Sequence, residues 1–203
     1  MFEEKAKDFT LVKNIDGKFF NIDEYKKQVE GTQTNKDKNV VFLYTTNEDQ
    51  QHGYIETAKK RSYDVLILDG PVDSHYINHI EQKYEGITLK RVDSDVIDKL
   101  IDKDEKKESV LSDDDKTKVE EAFKKAINDD KNSVVVEPMA TDDMLVTITL
   151  PEFIRRMKDM QAAGGGGPMM FGEMPMTLSV AVNANHAYTK KIVEASSEEE
   201  QME

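Results

Sequence analysis

The sequence contains no cysteine. Without thiols there is no disulfide framework and no thiolate metal site, which suits a reducing cytosol. Basic residues are the scarcer sign: 28 lysines and arginines stand against 41 aspartates and glutamates, a formal net charge of −13. They occur in short groups such as Lys59-Lys60-Arg61 and Lys190-Lys191 and form no stripe. Phosphate recognition needs clustered cations, so nucleic acid is not an expected partner. No apolar run approaches the ~18 residues that a membrane span requires, and Met1 to Lys5 carries no signal-peptide core. No membrane is therefore expected, and the expected location is the cytoplasm. Neither G-x-x-x-x-G-K-[ST] nor G-x-G-x-x-G occurs, so no phosphate-cradling loop is visible. The four glycines Gly164 to Gly167 run into Pro168, not into a helix N-terminus that would hold an anion.

What the chain does have is methionine, unevenly placed. Eight of ten lie between Met139 and Met176. Residues 151–160 read as a short amphipathic helix with Pro151 at a first helical position. Phe153, Ile154, Met157 and Met160 fall on one face, and Arg155, Arg156, Lys158 and Asp159 on the other. An apolar helical stripe is often core. Here it continues into a loop of glycines and methionines, and such flexible, polarisable side chains suit a surface that accepts many partners.

The remaining pattern divides the 203 residues into three stretches. In 1–31, Leu11-Val12 and Phe19-Phe20 flank Asp16-Gly17, a hairpin signal. Asn21 and Glu24 make a capping box for a helix through Val29, with Gly31 as its C-terminal cap. Residues 32–102 begin with a polar linker, Thr32 to Asn39. Then come Val40 to Tyr44, Val65 to Leu68 and Ile87 to Val92, apolar runs alternating with helices, the second of which Asp73 caps. This reads as β-α-β-α-β, a small three-layer α/β/α unit on a short parallel sheet. Val96, Leu100 and Ile101 suit a short helix, and a solvated charge run follows. Residues 103–203 read as a mixed α-β-β-α-β-α domain. It comprises a helix carrying Val119, Phe123 and Ile127, strands at Val134 to Val136 and Leu145 to Leu150 joined as a hairpin by Thr141-Asp142-Asp143, the methionine-rich helix and loop, a strand at Leu178 to Val182, and a last helix capped by Asn185.

Two constellations suggest chemistry. His75 and His79 are four apart on one helix, a spacing that suits a metal, but no third ligand lies nearby in sequence, and no metal is expected. Asp69 follows an apolar strand, where α/β proteins place ligands. Its segment resembles the phosphoacceptor strand of receiver domains, yet the acid pair such domains need after the first strand reads Thr45-Thr46-Asn47 here. Turn chemistry at Asp69-Gly70-Pro71 is the simpler reading.

A broader resemblance covers nearly the whole chain. Phe42-Leu43-Tyr44-Thr45-Thr46-Asn47, Tyr63 to Asp73 and Tyr84-Glu85-Gly86 look like the small α/β/α subdomain in the middle region of the heat-shock protein 90 chaperone family, in its bacterial form. Residues 1–31, with Asp16-Gly17-Lys18 and Asp23-Glu24-Tyr25, resemble the end of that family's large middle subdomain. Residues 117–195, including Asn183-Ala184-Asn185-His186, are similar to the start of its C-terminal domain. The resemblance implies a piece of an ATP-dependent chaperone that binds partly unfolded client proteins. The family's nucleotide-binding domain and catalytic arginine would lie upstream of Met1, and its dimerisation helices beyond Glu203. This stretch is therefore expected not to be an enzyme and to hold no cofactor itself; ATP, magnesium and the homodimer belong to the parent protein. The exposed apolar positions of the family's client-contacting helix fall on Phe153, Met157 and Met160, and Gln161 stands where bacterial members can carry an aromatic. The loop offers Met169, Met170 and Phe171 instead. A structural spacer without client contact, and a receiver-like module at Asp69, are the alternatives.

Overall fold

The computed structural model describes residues 11–70, 72–105, 107–129, 131–151, 153–156 and 177–195. They fall into two compact units, one of residues up to 104 together with 153–156, the other of 105–151 with 177–195.

The first unit starts with a hairpin of β1 (Leu11–Asn14) and β2 (Phe19–Asn21), paired antiparallel with Val12 opposite Phe20. Gly17 takes φ +77° at the turn, which a side chain would disfavour, and the Asn14 side-chain oxygen accepts the N–H groups of Asp16 and Lys18. Helix α1 (Ile22–Val29) follows directly, and both bonds of the Asn21–Glu24 capping box form at 2.9 Å. Ile22, Tyr25 and Val29 recur at helical spacing and are buried. Full burial of each is worth roughly 1.5–3 kcal/mol, which holds so short a helix in place. Gly31 does not supply the cap expected of it: Glu30 ends the helix in the right-handed region.

The core of this unit is β3 (Val40–Thr45), buried along its whole length. It runs parallel to β4 (Val65–Ile67) on one side and β5 (Ile87–Arg91) on the other. The intervening helices are α2 (His52–Lys60) and α3 (Asp73–Lys83), and α4 (Ile97–Leu100) follows β5. The side chains of β3 alternate between two cores. Val40, Phe42 and Tyr44 pack with residues of α1 and α3, and Val41 and Leu43 with residues of α2 and α4. That is why the strand sequence is apolar without alternation.

Two expectations change here. Residues 11–31, a stretch of their own in the sequence pattern, join the sheet of the next stretch: β1 pairs antiparallel with β4, giving the order β2-β1-β4-β3-β5, and Val12, Ile22 and Tyr25 share a core with Phe42 and Leu66. Nor is 32–39 a free linker. Gln33 is fully buried, donates to Val41 O at 2.8 Å and accepts from Asp64 N at 2.6 Å, so its amide stands in for a strand neighbour.

In the second unit, Ser112 caps α5 (Asp113–Ile127) by accepting from Asp115 N, and Asn128 ends it at φ +48°. Strands β6 (Ser133–Glu137), β7 (Val146–Thr149) and β8 (Ser179–Asn183) follow, then α6 (Ala187–Glu194). β6 and β7 do not form the expected hairpin. β8 lies between them, parallel to β6 and antiparallel to β7. β8 is apolar on both faces and takes the central place, whereas β7 has Ile148 49% exposed and sits at an edge. Leu111, Val119, Val134, Val180 and Val182 form the core. Asn185 is not the cap of α6. Its side chain instead donates to Glu108 O and Met139 O and accepts from Val110 N, and the neighbouring His186 caps the helix through Nδ1.

Candidate functional site

Of the six expected contact residues, only Phe153 lies among those described; Met157, Met160, Met169, Met170 and Phe171 lie outside them. Residues 153–156 are helical and belong to the first unit. Phe153 is 72% exposed. The turn nevertheless inverts the amphipathic expectation, because the residue sent into the interior is a cation. Arg155 is 1% exposed, donates to the Tyr44 hydroxyl at 2.9 Å, and has its guanidinium carbon 5.4 Å from the centre of the Tyr44 ring. Hydrogen bonding and ring contact make such burial tolerable for a charge that does not titrate.

Arg156 is held as firmly. Its Nη1 donates to Glu81 Oε2 at 2.8 Å and to Asn78 Oδ1 at 3.3 Å, and its Nη2 donates to Glu81 Oε1 at 3.1 Å and to Leu89 O at 3.0 Å. Asn78 and Glu81 are three apart on α3, so they present one face. Glu81 Oε1 also accepts the Leu89 N–H at 2.8 Å. β5 is an edge strand, and at Leu89 both backbone groups are thus engaged by side chains. The helical pattern in the sequence puts Arg155 and Arg156 opposite the apolar face. The signal it lacked is tertiary, since Tyr44 and Glu81 lie 111 and 75 positions away.

At the carboxyl edge of the parallel sheet, the Gln51 side-chain oxygen accepts from Thr45 Oγ1 at 2.6 Å and Thr46 N at 3.0 Å, and its nitrogen donates to Asp93 at 2.8 Å. Arg91 donates to the same Asp93 oxygen at 2.8 Å and to Thr46 Oγ1 at 3.3 Å. No local pattern in the sequence marks Gln51, Arg91 or Asp93. The backbone N–H groups of Thr46 and Asn47 at this edge are thereby bonded to side chains of the chain itself. Asp69 is exposed beside this closed edge. Asp73 is the first residue of α3, not its cap, and its carboxylate accepts from Gly70 N at 2.7 Å, the turn chemistry expected of this segment. His75 and His79 are both exposed. Among the described residues there is no group of three His, Asp or Glu side chains placed to hold a metal, and no helix long and apolar enough to cross a membrane.

Comparison with known proteins gives this arrangement a lineage. Chaperone protein HtpG of Bacteroides fragilis is 37% identical over 195 residues, which is 95% of this chain and 28% of that protein. The HtpG proteins of Bacteroides thetaiotaomicron and Porphyromonas gingivalis are each 36% identical, over 95% and 97% of this chain and 29% of their own lengths. This chain thus spans less than a third of the curated relatives it matches. A heat shock protein middle domain from Plasmodium falciparum aligns over 46% of this chain and 39% of its own at 20% identity with a TM-score of 0.36, too slight to bear on the fold. The family model described as Hsp90 protein matches residues 9–203. The chain belongs to the Hsp90 family.

Proposed function

We propose that this chain is the client-contacting part of an ATP-dependent molecular chaperone, and that Phe153 touches partly unfolded proteins. The observation that carries the reading is the inverted turn at 153–156: two arginines are engaged by the first unit while a phenylalanine is left in solvent. An exposed phenylalanine gains by burial against a partner, and the methionines near it in sequence support reading it as a contact residue. Met157, Met160, Met169, Met170 and Phe171 follow it in sequence, and such side chains adapt to many partners. The relatives carry the name chaperone, which supports the same reading. Nucleotide hydrolysis, with its ATP and magnesium, and homodimer formation belong to the parent protein in this proposal. The cytoplasm is the proposed location.

Burial of a few such side chains gives ~5 kcal/mol before ordering costs, so client affinity is weak, micromolar to millimolar in order of magnitude. Weak binding suits a chaperone that must release its client. The net charge of −13 favours basic, apolar-rich segments. The test is titration of an unfolded model protein with the wild-type chain and with Phe153→Ser combined with Met157→Ser. Affinity is expected to fall about tenfold with the circular dichroism of the chain unchanged. Equal affinity would leave the spacer reading in its place.

A further inference from the structure

The contacts of Arg156 resemble those of a neighbouring strand. β5 is the last strand of its sheet, and the Leu89 N–H and C=O point away from its partner β3. Glu81 accepts the first and Arg156 donates to the second, while the two side chains also bond each other. An open edge is completed with a donor and an acceptor in fixed order. We propose that Arg156, seated by Glu81 on the open edge of β5, is the positioning residue that holds Phe153 in its solvent-facing place for client contact. The inference rests on the client-binding reading above and adds to it how the contact residue is presented.

The physical reason for such a device is local. The turn keeps its shape because Arg155 enters the core at Tyr44 and Arg156 clasps the β5 edge three positions after Phe153. A preset phenylalanine loses less freedom when it binds than one on a loose chain. The donor–acceptor order also sets this arrangement apart from a plain ion pair. Exchanging the two charges would put a donor against the Leu89 N–H and a carboxylate against its carbonyl. A plain ion pair tolerates the exchange; an edge completion does not.

The full 203-residue chain has no tryptophan, so Phe153→Trp places one fluorophore at the position in question. In that background Arg156→Gln is expected to lower the steady-state anisotropy of the indole by a quarter or more, and Arg156→Lys to lower it less. The exchange Glu81→Arg with Arg156→Glu is expected not to restore it. Unchanged anisotropy in Arg156→Gln, or recovery in the exchanged pair, overturns the proposal. If the glutamine variant does not fold by circular dichroism, Arg156→Lys decides by the same reading. In the Phe153 background, Arg156→Gln is expected to weaken binding of an unfolded model protein several-fold. Unchanged affinity there, in a titration where Phe153→Ser does weaken binding, also overturns it. If Phe153→Ser has no effect on affinity, the client-binding reading fails and anisotropy alone decides the anchoring.

Discussion

Tyr25 is fully buried on α1, its ring edge-on to Phe42 at 4.8 Å, and its hydroxyl has no hydrogen-bond partner among the described residues. The Tyr76 hydroxyl is in the same position. Burial, reinforced by the Asp64 carboxylate, pushes the Tyr25 phenol well above its ordinary value of 10.0. Burial, with Tyr84 and Asp73 adding to it, pushes Tyr76 up to about 12. In both, the folded state holds its proton to higher pH than the unfolded chain does. The unfolded state therefore binds fewer protons above pH 10, and stability falls as pH rises from there toward 12. Below pH 10 the groups are protonated in both states and contribute no slope. Tyr25→Phe combined with Tyr76→Phe is expected to flatten the alkaline fall in melting temperature. At neutral pH the pair is expected to be neutral or stabilising by about 1 kcal/mol, because an unsatisfied buried hydroxyl is removed. Thermal melts from pH 7 to 11.5 check both; a flat wild-type profile above pH 10 contradicts the account.

Among the elements, α1 is the one whose start the sequence announces most clearly. Asn21→Ala removes the acceptor for Glu24 N and is expected to cost about 1 kcal/mol, read as a lower denaturation midpoint at unchanged slope. That helix, the Asp16-Gly17 hairpin and the alternation of apolar runs with helices were legible because each signal lies within a few residues. What was not legible depends on distant partners. Gln33 looks like linker until Val41 and Asp64 are beside it. Asn185 looks like a cap until the backbone at 108–110 claims its side chain, leaving the role to His186. The insertion of β8 between β6 and β7 depends on a strand thirty residues further on, and neighbours in sequence were the default pairing. The candidate site divides the same way. The resemblance pointed to Phe153, but the burial of Arg155 contradicts the local helical pattern and follows only from Tyr44.

At the scale of the whole molecule, sequence order and physical membership part company at 153–156. The chain completes β7 at Thr149 in the second unit, yet the next described helical residues belong to the first. A lesion there should accordingly be felt early in the chain. Arg155→Ala deletes a side chain packed into the interior and removes the 2.9 Å hydrogen bond to the hydroxyl of the buried Tyr44. The void and the lost hydrogen bond together are expected to cost about 2–4 kcal/mol. The loss is expected to stay within one unit, because Tyr44 lies on β3, the central strand of the parallel set, and β3 pairs with both β4 and β5. Amide hydrogen exchange resolves the two units separately. Exchange in Val40–Thr45, Val65–Ile67 and Ile87–Arg91 is expected to quicken, while Ser133–Glu137 and Ser179–Asn183 keep their protection. If protection falls equally in both sets, the two units share one unfolding step. If it falls in neither, the guanidinium does not hold the interior at Tyr44.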